Sequence, residues 1–291
     1  MSIRTVLVCG AGLMGHGIAQ VCAVTGHDVF LFEPDRARSE AGLARIAGNL
    51  ERAVQKERMT AQERQAALGR IRIADALGGA VAQSDLAIEA VFEDEAVKRS
   101  LFAELDQRAP EHTILASNTS SISITRLASA VRPARRARFI GMHFFSPVPV
   151  MPLIELVRAA ETSEQSEADI RALAADLGKQ VIVSKDRPGF VVNRVLMPYL
   201  VEAMRAYEEG LGTLEDIDAG VRLGLNHPMG PLELADFIGL DVCLHVMEVL
   251  YAGFNEPKFA PPPILRQLVD AGYLGQKSGR GFYTYPRPPK A

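Results

Sequence analysis

Thr5-Val6-Leu7-Val8-Cys9-Gly10-Ala11-Gly12-Leu13-Met14-Gly15 decides the fold. A short apolar run, Thr5 to Val8, reads as a buried strand, and the residues from Leu13 to Thr25 have the length and apolar spacing of a helix. Between them Gly10, Gly12 and Gly15 form a GxGxxG pattern, a weak signal alone but a meaningful one where a strand ends and a helix begins. The first glycine permits a tight turn, the second lets a pyrophosphate approach the backbone, and the third lets helix and strand pack closely. Unpaired amides at the start of the helix, around Leu13 and Met14, then face the phosphates.

Moving outward, a second strand-like run, Asp28–Phe32, ends at Glu33, roughly 20 residues past the glycines. An acidic side chain there accepts hydrogen bonds from both ribose hydroxyls and repels a 2′-phosphate, which favours NAD over NADP. Arg36 and Arg38 stand close enough to oppose that reading, since an arginine can pair with a 2′-phosphate. More short apolar runs follow at 71–74, 86–90, 114–117, 139–142, 154–157 and 181–183, with helix-like segments such as 94–107 and 164–177 between them. This alternation predicts an α/β domain of Rossmann type, with a mainly parallel sheet and helices on both faces. At Lys185–Gly189 the pattern changes: Pro188 and Gly189 punctuate the chain, and 190–209, 214–223, 232–251 and 264–271 all read as helices. The expected division is an NAD-binding domain over 1–184 and an all-helical domain over 185–291. Apolar residues at helical spacing between 240 and 250 read as core or subunit interface, and the prolines at 286–289 as a loose tail.

A length of 291 residues agrees with two domains, and a formal net charge of −3 gives no reason to expect nucleic acid or an anionic membrane as partner. The local cluster Arg132, Arg135, Arg136 and Arg138 reads as a solvated face. No apolar run approaches the ~20 residues that cross a bilayer, and the amino terminus does not resemble a signal peptide, so the expected location is cytoplasmic. Cys9, Cys22 and Cys243 are odd in number and widely spaced, and read as buried thiols in a reducing compartment. The same residues suggest no metal site.

Oxidation of an alcohol by hydride transfer needs a base with a pKa near neutrality, and the chain has 6 histidines. His16, His27, His112, His227 and His245 each have a local structural explanation. His143 differs: it follows the strand-like run 139–142, at the carboxyl edge of the sheet where open α/β folds bind ligands. Glu155 lies inside Leu153-Ile154-Glu155-Leu156-Val157, a carboxylate in an apolar strand that is costly to bury without a partner. A histidine could be that partner, fixing the imidazole tautomer and stabilising the imidazolium. A strand glutamate turned outward to water remains the alternative.

Five segments make the chain similar to a known family. Ser117-Asn118-Thr119-Ser120-Ser121, His143-Phe144-Phe145-Ser146-Pro147-Val148, Pro188-Gly189-Phe190-Val191-Val192-Asn193-Arg194, Asn226-His227-Pro228-Met229-Gly230-Pro231 and Gly279-Arg280-Gly281-Phe282-Tyr283 resemble, in order and over nearly the full length, the L-3-hydroxyacyl-CoA dehydrogenases. Several segments look most like the bacterial 3-hydroxybutyryl-CoA branch. The resemblance implies reversible oxidation of an (S)-3-hydroxyacyl-CoA with NAD, in a homodimer formed through the helical domain. It implies His143 as general base, Glu155 as its orienting carboxylate, and Ser120 and Asn193 as hydrogen-bond partners of the substrate in an interdomain cleft. Glu93, Lys98, Ser120, Ser146 and Lys277 fall where the family contacts NAD, and Lys56 where it binds coenzyme A. Ser146 departs from an asparagine common in relatives, and Asn49 from a coenzyme A-binding serine, which puts those two contacts in doubt. Acyl chain length and pathway stay open. A related dehydrogenase acting on a sugar acid and a non-catalytic NAD-binding protein on the same fold are the rival readings.

Overall fold

The strand expected before the glycine turn forms as β1 (Thr5–Cys9) and the helix after it as α1 (Leu13–Val24), in a computed structural model that describes residues 2–286. The chain continues through β2 (Asp28–Phe32), α2 (Arg36–Gln55), α3 (Ala61–Gly69), β3 (Ile71–Ile73), α4 (Leu77–Val81), β4 (Leu86–Glu89), α5 (Glu95–Arg108) and β5 (Ile114–Ser117). Then come α6 (Ile124–Ala128), α7 (Pro133–Arg136), β6 (Phe139–Phe144), β7 (Leu153–Arg158), α8 (Glu164–Asp176) and β8 (Gln180–Lys185). The strands form one sheet in the order β3-β2-β1-β4-β5-β6-β7-β8. Pairing is parallel throughout except between β6 and β7, which run antiparallel. Every residue of β4, β5 and β6 is buried. Covered on both faces, such strands read in sequence as continuous apolar runs instead of alternating ones.

The chain divides into two compact units, Met1–Arg187 and Pro188–Ala291. The division falls just beyond the boundary drawn at 184, because β8 carries the sheet through Lys185. Asp186 then turns back within the first unit, accepting hydrogen bonds from the Ser123 hydroxyl (2.7 Å) and from the amides of Ile124 (3.0 Å) and Thr125 (2.8 Å) at the start of α6.

The arginine cluster is a correction. Arg135, expected on a solvated face, is 3% exposed. Its guanidinium donates to Asp106 (3.0 Å) and to the carbonyls of Ala109, Pro110, Glu111 and Thr113 at 2.7–3.1 Å. The planar guanidinium, with its donors in a rigid fork, meets several carbonyls of one loop at once. Arg132 shares Asp106 at 3.0 Å, and Arg136 pairs with Glu161 at 3.1 Å.

The second unit contains α9 (Val192–Glu208), α10 (Leu214–Gly224), α11 (Pro231–Ile238), α12 (Leu240–Phe254) and α13 (Pro263–Asp270). Met197, Leu200, Met204, Leu232, Cys243, Met247 and Leu250 build its core, which places the apolar run near 240–250 largely inside. The single helix expected over 232–251 is two helices that meet at 97°. Gly239 makes the break: its φ of 104° is open to glycine and strained for other residues, and an unbroken apolar run hides it from a periodicity reading. Among the described residues no single helix is long and apolar enough to cross a membrane, though this bent pair together has the composition. The proline tail lies, beyond Pro286, outside the described residues.

Two buried aspartates hold this unit's loops. Asp218 accepts the amides of Leu232 (2.8 Å) and Glu233 (2.9 Å), capping α11, and the Tyr283 hydroxyl at 2.9 Å. Asp236 accepts the amides of Phe282 (3.0 Å) and Tyr283 (2.9 Å) and the Tyr285 hydroxyl at 3.0 Å. Both need glycine opposite them: a Cβ on Gly230 would lie 2.3 Å from Asp218 Cβ, and one on Gly281 1.9 Å from Asp236 Oδ1. Gly281→Ala should therefore destabilise the protein by about 1–3 kcal/mol, the usual cost of overpacking. A urea midpoint equal to that of the parent would show that Asp236 does not clamp this segment.

Candidate active site

β1 sits between β2 and β4, so the chain reverses its direction of growth across the sheet here, and the crevice beyond the carboxyl ends of β1 and β4 is the expected ligand position. The glycine turn is built for close approach. Gly10 has φ 106° and donates its amide to Phe32 O at 2.7 Å, and a Cβ on it would lie 2.4 Å from Ala90 O. A Cβ on Gly15 would lie 1.8 Å from Gly10 O, whereas one on Gly12 would meet nothing within 4 Å. Gly12 thus borders open space, and no side chain caps α1, leaving its first-turn amides at Leu13, Met14 and Gly15 for an anion. Glu33 follows β2 half-buried, with Oε2 accepting the Ala11 amide at 3.3 Å, so it is fixed beside the glycine loop. Arg36 is engaged by Glu40 at 3.0 Å and by Asp75, and Arg38 by Asp35 at 3.6 Å. With each arginine already facing a carboxylate, the donors and acceptors fit a dinucleotide with free ribose hydroxyls.

Beyond β4 lies a buried charged cluster. Lys98, in the first turn of α5, is 1% exposed, with Nζ 2.5 Å from Glu89 Oε1 and 3.0 Å from Glu93 Oε2. Glu93 Oε1 accepts the Thr119 hydroxyl (2.6 Å), the Ser121 hydroxyl (2.8 Å), the Ser120 amide (3.0 Å) and, more weakly, the Ser120 hydroxyl (3.4 Å). Burial works to raise the Glu93 pKa, but the Lys98 charge and the bonds from Thr119 and Ser121 outweigh it and hold the carboxyl below its ordinary range. At Glu89 the balance is reversed: burial raises the carboxyl further than Lys98, Ser117 and the Val91 amide lower it. Lys98, which the resemblance places among the cofactor contacts, has its ammonium next to Glu89, Glu93 and the Val91 carbonyl.

His143 and Glu155 are register partners across the antiparallel β6–β7 pair. His143 Nδ1 lies 2.7 Å from Glu155 Oε2, with His143 7% and Glu155 0% exposed. Nδ1 therefore carries the donated proton, and the outward-facing alternative for Glu155 is excluded. The Phe145 ring packs on the imidazole, centroids 4.6 Å apart. Asn118 Oδ1 accepts the Phe144 amide at 2.9 Å, which ties the Ser117–Ser121 loop to the end of β6 beside His143. The other histidines have local roles: His16 donates to Gly12 O (2.7 Å), His27 to Ile3 O (3.1 Å), and His112 meets Asp85 at 3.4 Å. His227 meets the Tyr199 hydroxyl at 3.4 Å, and His245 is exposed on α12.

A groove of about 500 Å³ runs between the start of α1, the end of α2 and the loop after β6. Arg52, Lys56 and Arg58 give it a basic wall, while Leu13 (67% exposed) and Val150 (72% exposed) give it apolar surface. Asn49 lines it too, donating to Gln20 Oε1 at 2.9 Å and accepting from Arg52. Lys179 holds the far wall, donating to Val148 O and Met151 O at 2.7 Å each.

Comparison with known proteins agrees with this geometry. The model of the NAD binding domain of 3-hydroxyacyl-CoA dehydrogenase matches residues 5–187, and that of its C-terminal domain residues 189–285. The chain belongs to the 3-hydroxyacyl-CoA dehydrogenase family. It is 50% identical over 283 residues to the 3-hydroxybutyryl-CoA dehydrogenase of Bradyrhizobium diazoefficiens, covering 97% of this chain and 96% of that one. A probable 3-hydroxybutyryl-CoA dehydrogenase of Bacillus subtilis is 48% identical, with 98% of each chain covered. The crystal structure of (S)-3-hydroxybutyryl-CoA dehydrogenase PaaH1 from Ralstonia eutropha superposes with a TM-score of 0.94 at 49% identity, covering 98% of this chain and 100% of that one. The protein is an NAD-dependent oxidoreductase.

For a member of this family, the first unit brings together the glycine loop, Glu33, Glu93, Ser120, His143 and Glu155 at the carboxyl side of its sheet. Ser146 stands exposed in the loop after β6. Asn193 and Lys277 belong to the second unit, Asn193 in the first turn of α9 and Lys277 paired with Asp241 at 2.5 Å. Sequence reasoning missed Glu89 and Lys179. Glu89 ends an apolar strand just as Glu155 interrupts one, and the same cost of burial was the available signal; Lys179 gives none.

If Glu33, held beside the glycine loop, meets the ribose hydroxyls, the parent should use NADH at least tenfold better than NADPH in kcat/KM, and Glu33→Ala should shrink that preference. Equal use of both cofactors by the parent would overturn the assignment and direct attention to Arg36 and Arg38.

Proposed function

We propose that this dehydrogenase interconverts short-chain (S)-3-hydroxyacyl-CoA, such as 3-hydroxybutyryl-CoA, and the 3-oxoacyl-CoA, with His143 as the general base. The observation that carries this reading is the buried 2.7 Å His143–Glu155 pair beside the Ser117–Ser121 loop. With Nδ1 donating to Glu155, Nε2 is the nitrogen that takes the proton from the 3-hydroxyl. Glu155 fixes that tautomer and offsets the positive charge that the imidazole gains. NAD, when bound, supplies the acceptor for the hydride on carbon 3. Ser120 and Asn193 hydrogen-bond the substrate oxygens and so orient carbon 3, a contribution worth up to ~7–11 kcal/mol of barrier in the best cases. Lys56, with Arg52 and Arg58 beside it, meets the coenzyme A phosphates in the basic groove, where a lysine acts as a point charge. The names of the similar proteins favour the four-carbon substrate.

We also read the protein as a cytoplasmic homodimer. The three cysteines are free and buried, which suits a reducing compartment, and the helical unit exposes Val195, Leu211, Leu223 and Leu225 by 62–81%. Light scattering should give twice the monomer mass; a monomer would remove the dimer from this reading.

The chemistry is tested with acetoacetyl-CoA and NADH by absorbance at 340 nm. His143→Ala should lose about 10²–10⁴-fold in kcat, as expected for a missing general base, with acetoacetyl-CoA binding changed far less. Glu155→Gln keeps the shape without the charge and should lower kcat substantially. Asn193→Ala should lower kcat while leaving NADH affinity nearly unchanged. A Glu155→Gln enzyme with parental kcat would reduce Glu155 to a structural strand residue and dissolve the dyad.

A further inference from the structure

We propose that Lys179 is a positioning residue for the acyl-CoA: its ammonium pins the 145–152 loop as a fixed wall of the basic groove. The proposal rests on the reading above in one respect, that this groove receives coenzyme A.

The loop is poor in donors of its own. Pro147, Pro149 and Pro152 carry no amide hydrogen, so three of its eight residues bring a backbone acceptor without a donor. Of the amides that remain, those of Val150 and Met151 both turn to Pro147 O, at 2.9 and 3.0 Å. Among the described residues no backbone amide reaches the carbonyls of Val148 or Met151. Lys179 reaches both, with Nζ donating to each at 2.7 Å. An ammonium carries three donors on one point, and here it gathers two carbonyls from opposite ends of one turn. Burial lowers the pKa of this lysine, so its charge is partly withdrawn from water and held by these acceptors.

The backbone that carries Lys179 is itself fixed. After α8, Gly178 turns the chain with φ 67°, and the Lys179 amide closes back on Ala174 O at 2.8 Å, a bond that ends many helices. The next amide, that of Gln180, donates to Pro152 O at 2.7 Å, where β8 joins β7. Nζ is thus anchored to the sheet, and the loop is anchored to Nζ. On its other side the loop meets the groove: Val148 presses on Gly17 of α1, and Val148, Pro149 and Val150 line the same space as Arg52 and Lys56.

Without the pin, the loop has to be ordered at the moment of binding, and that cost appears as weaker acyl-CoA binding. NADH, bound at the glycine loop, does not bear it. A general loss of folded enzyme behaves differently, because it lowers the apparent kcat and leaves the KM of the surviving molecules unchanged. The loop also begins at Phe145, whose ring packs on His143, so a role at the groove has to be separated from support of the base.

The test compares the full-length parent with Lys179→Met, Lys179→Arg and Lys56→Ala, following NADH at 340 nm with two substrates. One is acetoacetyl-CoA; the other is acetoacetyl-N-acetylcysteamine, which keeps the reacting carbons and lacks the nucleotide that would fill the groove. Lys179→Met should raise KM for acetoacetyl-CoA at least about fivefold, while KM for NADH and kcat/KM for the truncated thioester stay within about twofold of the parent. Lys179→Arg, whose guanidinium can meet two carbonyls, should return KM for acetoacetyl-CoA to within about twofold of the parent. A fall in kcat with both KM values unchanged, or an equal loss of kcat/KM on both thioesters, overturns the proposal. Lys56→Ala tests the groove by itself and should raise KM for acetoacetyl-CoA while sparing the truncated thioester. A parental KM in Lys56→Ala overturns the assignment of the groove to coenzyme A. A raised KM in Lys56→Ala beside a parental one in Lys179→Met overturns the role of Lys179 alone. Should Lys179→Met not fold, Lys179→Gln, whose amide nitrogen falls a bond short of the ammonium, enters the same assays with the same rise expected.

Discussion

A carboxylate with no solvent exposure in the middle of an apolar strand must be met by a partner on the neighbouring strand, and much of the first unit follows from how that is arranged for Glu155. The partner, His143, is its register mate in the one antiparallel pair of the sheet. An antiparallel pair can be joined by a short connection, whereas a parallel pair needs a crossover of a dozen or more residues. The chain accordingly passes from β6 to β7 through 145–152 without a helix. That loop becomes the wall of the basic groove: Val148 packs against α1 so closely that a Cβ on Gly17 would lie 2.9 Å from it, and Lys179 pins the loop by two carbonyls. The orientation of one strand pair thus builds the dyad and shapes the surface beside it.

Charge is managed locally throughout. The net formal charge of −3 says little about ligands, yet the carboxyl side of the sheet holds Glu89 and Glu155 buried and Glu93 half-buried, each hydrogen-bonded to a basic side chain. Glu155 has an imidazole, Glu89 and Glu93 share one ammonium, and a ring of serine and threonine hydroxyls completes the second set. Breaking such a pair from one side typically costs ~3–5 kcal/mol, so these contacts constrain the sheet edge strongly. The cations that line the groove, Arg52, Lys56 and Arg58, stand at the end of α2.

The sequence made the sheet legible because buried parallel strands are continuous apolar runs and GxGxxG between strand and helix has few other uses. It made Glu155 legible because a charge inside such a run demands an explanation. Other features carried no local signal. The direction of β7 is a property of its connection and not of Leu153–Arg158 itself. Arg135 lies among charged neighbours and reads as solvated, whereas it is buried by acceptors distant in sequence, the 109–113 carbonyls. The break at Gly239 was hidden because the helices on either side are equally apolar. The relation of Asn193 and Lys277 to the sheet edge rested on family resemblance alone, since neither spacing nor periodicity reaches across the chain.

The motifs that made the resemblance strong are of two physical kinds. Gly230 and Gly281, in the fourth and fifth segments, exist where the Asp218 and Asp236 carboxylates press against the backbone; their chemistry is the absence of a Cβ. His227, beside Gly230 in the same segment, meets only the edge of the Tyr199 side chain among the contacts described. A chain that kept these segments but replaced His143 would keep the helical unit, match the same family over the same length, and lack a base for the hydroxyl proton. Length of match therefore argues for the fold, while the argument for turnover rests on a few atoms: Nδ1 of His143 against Oε2 of Glu155, and the loop held at its side by Asn118 and Glu93.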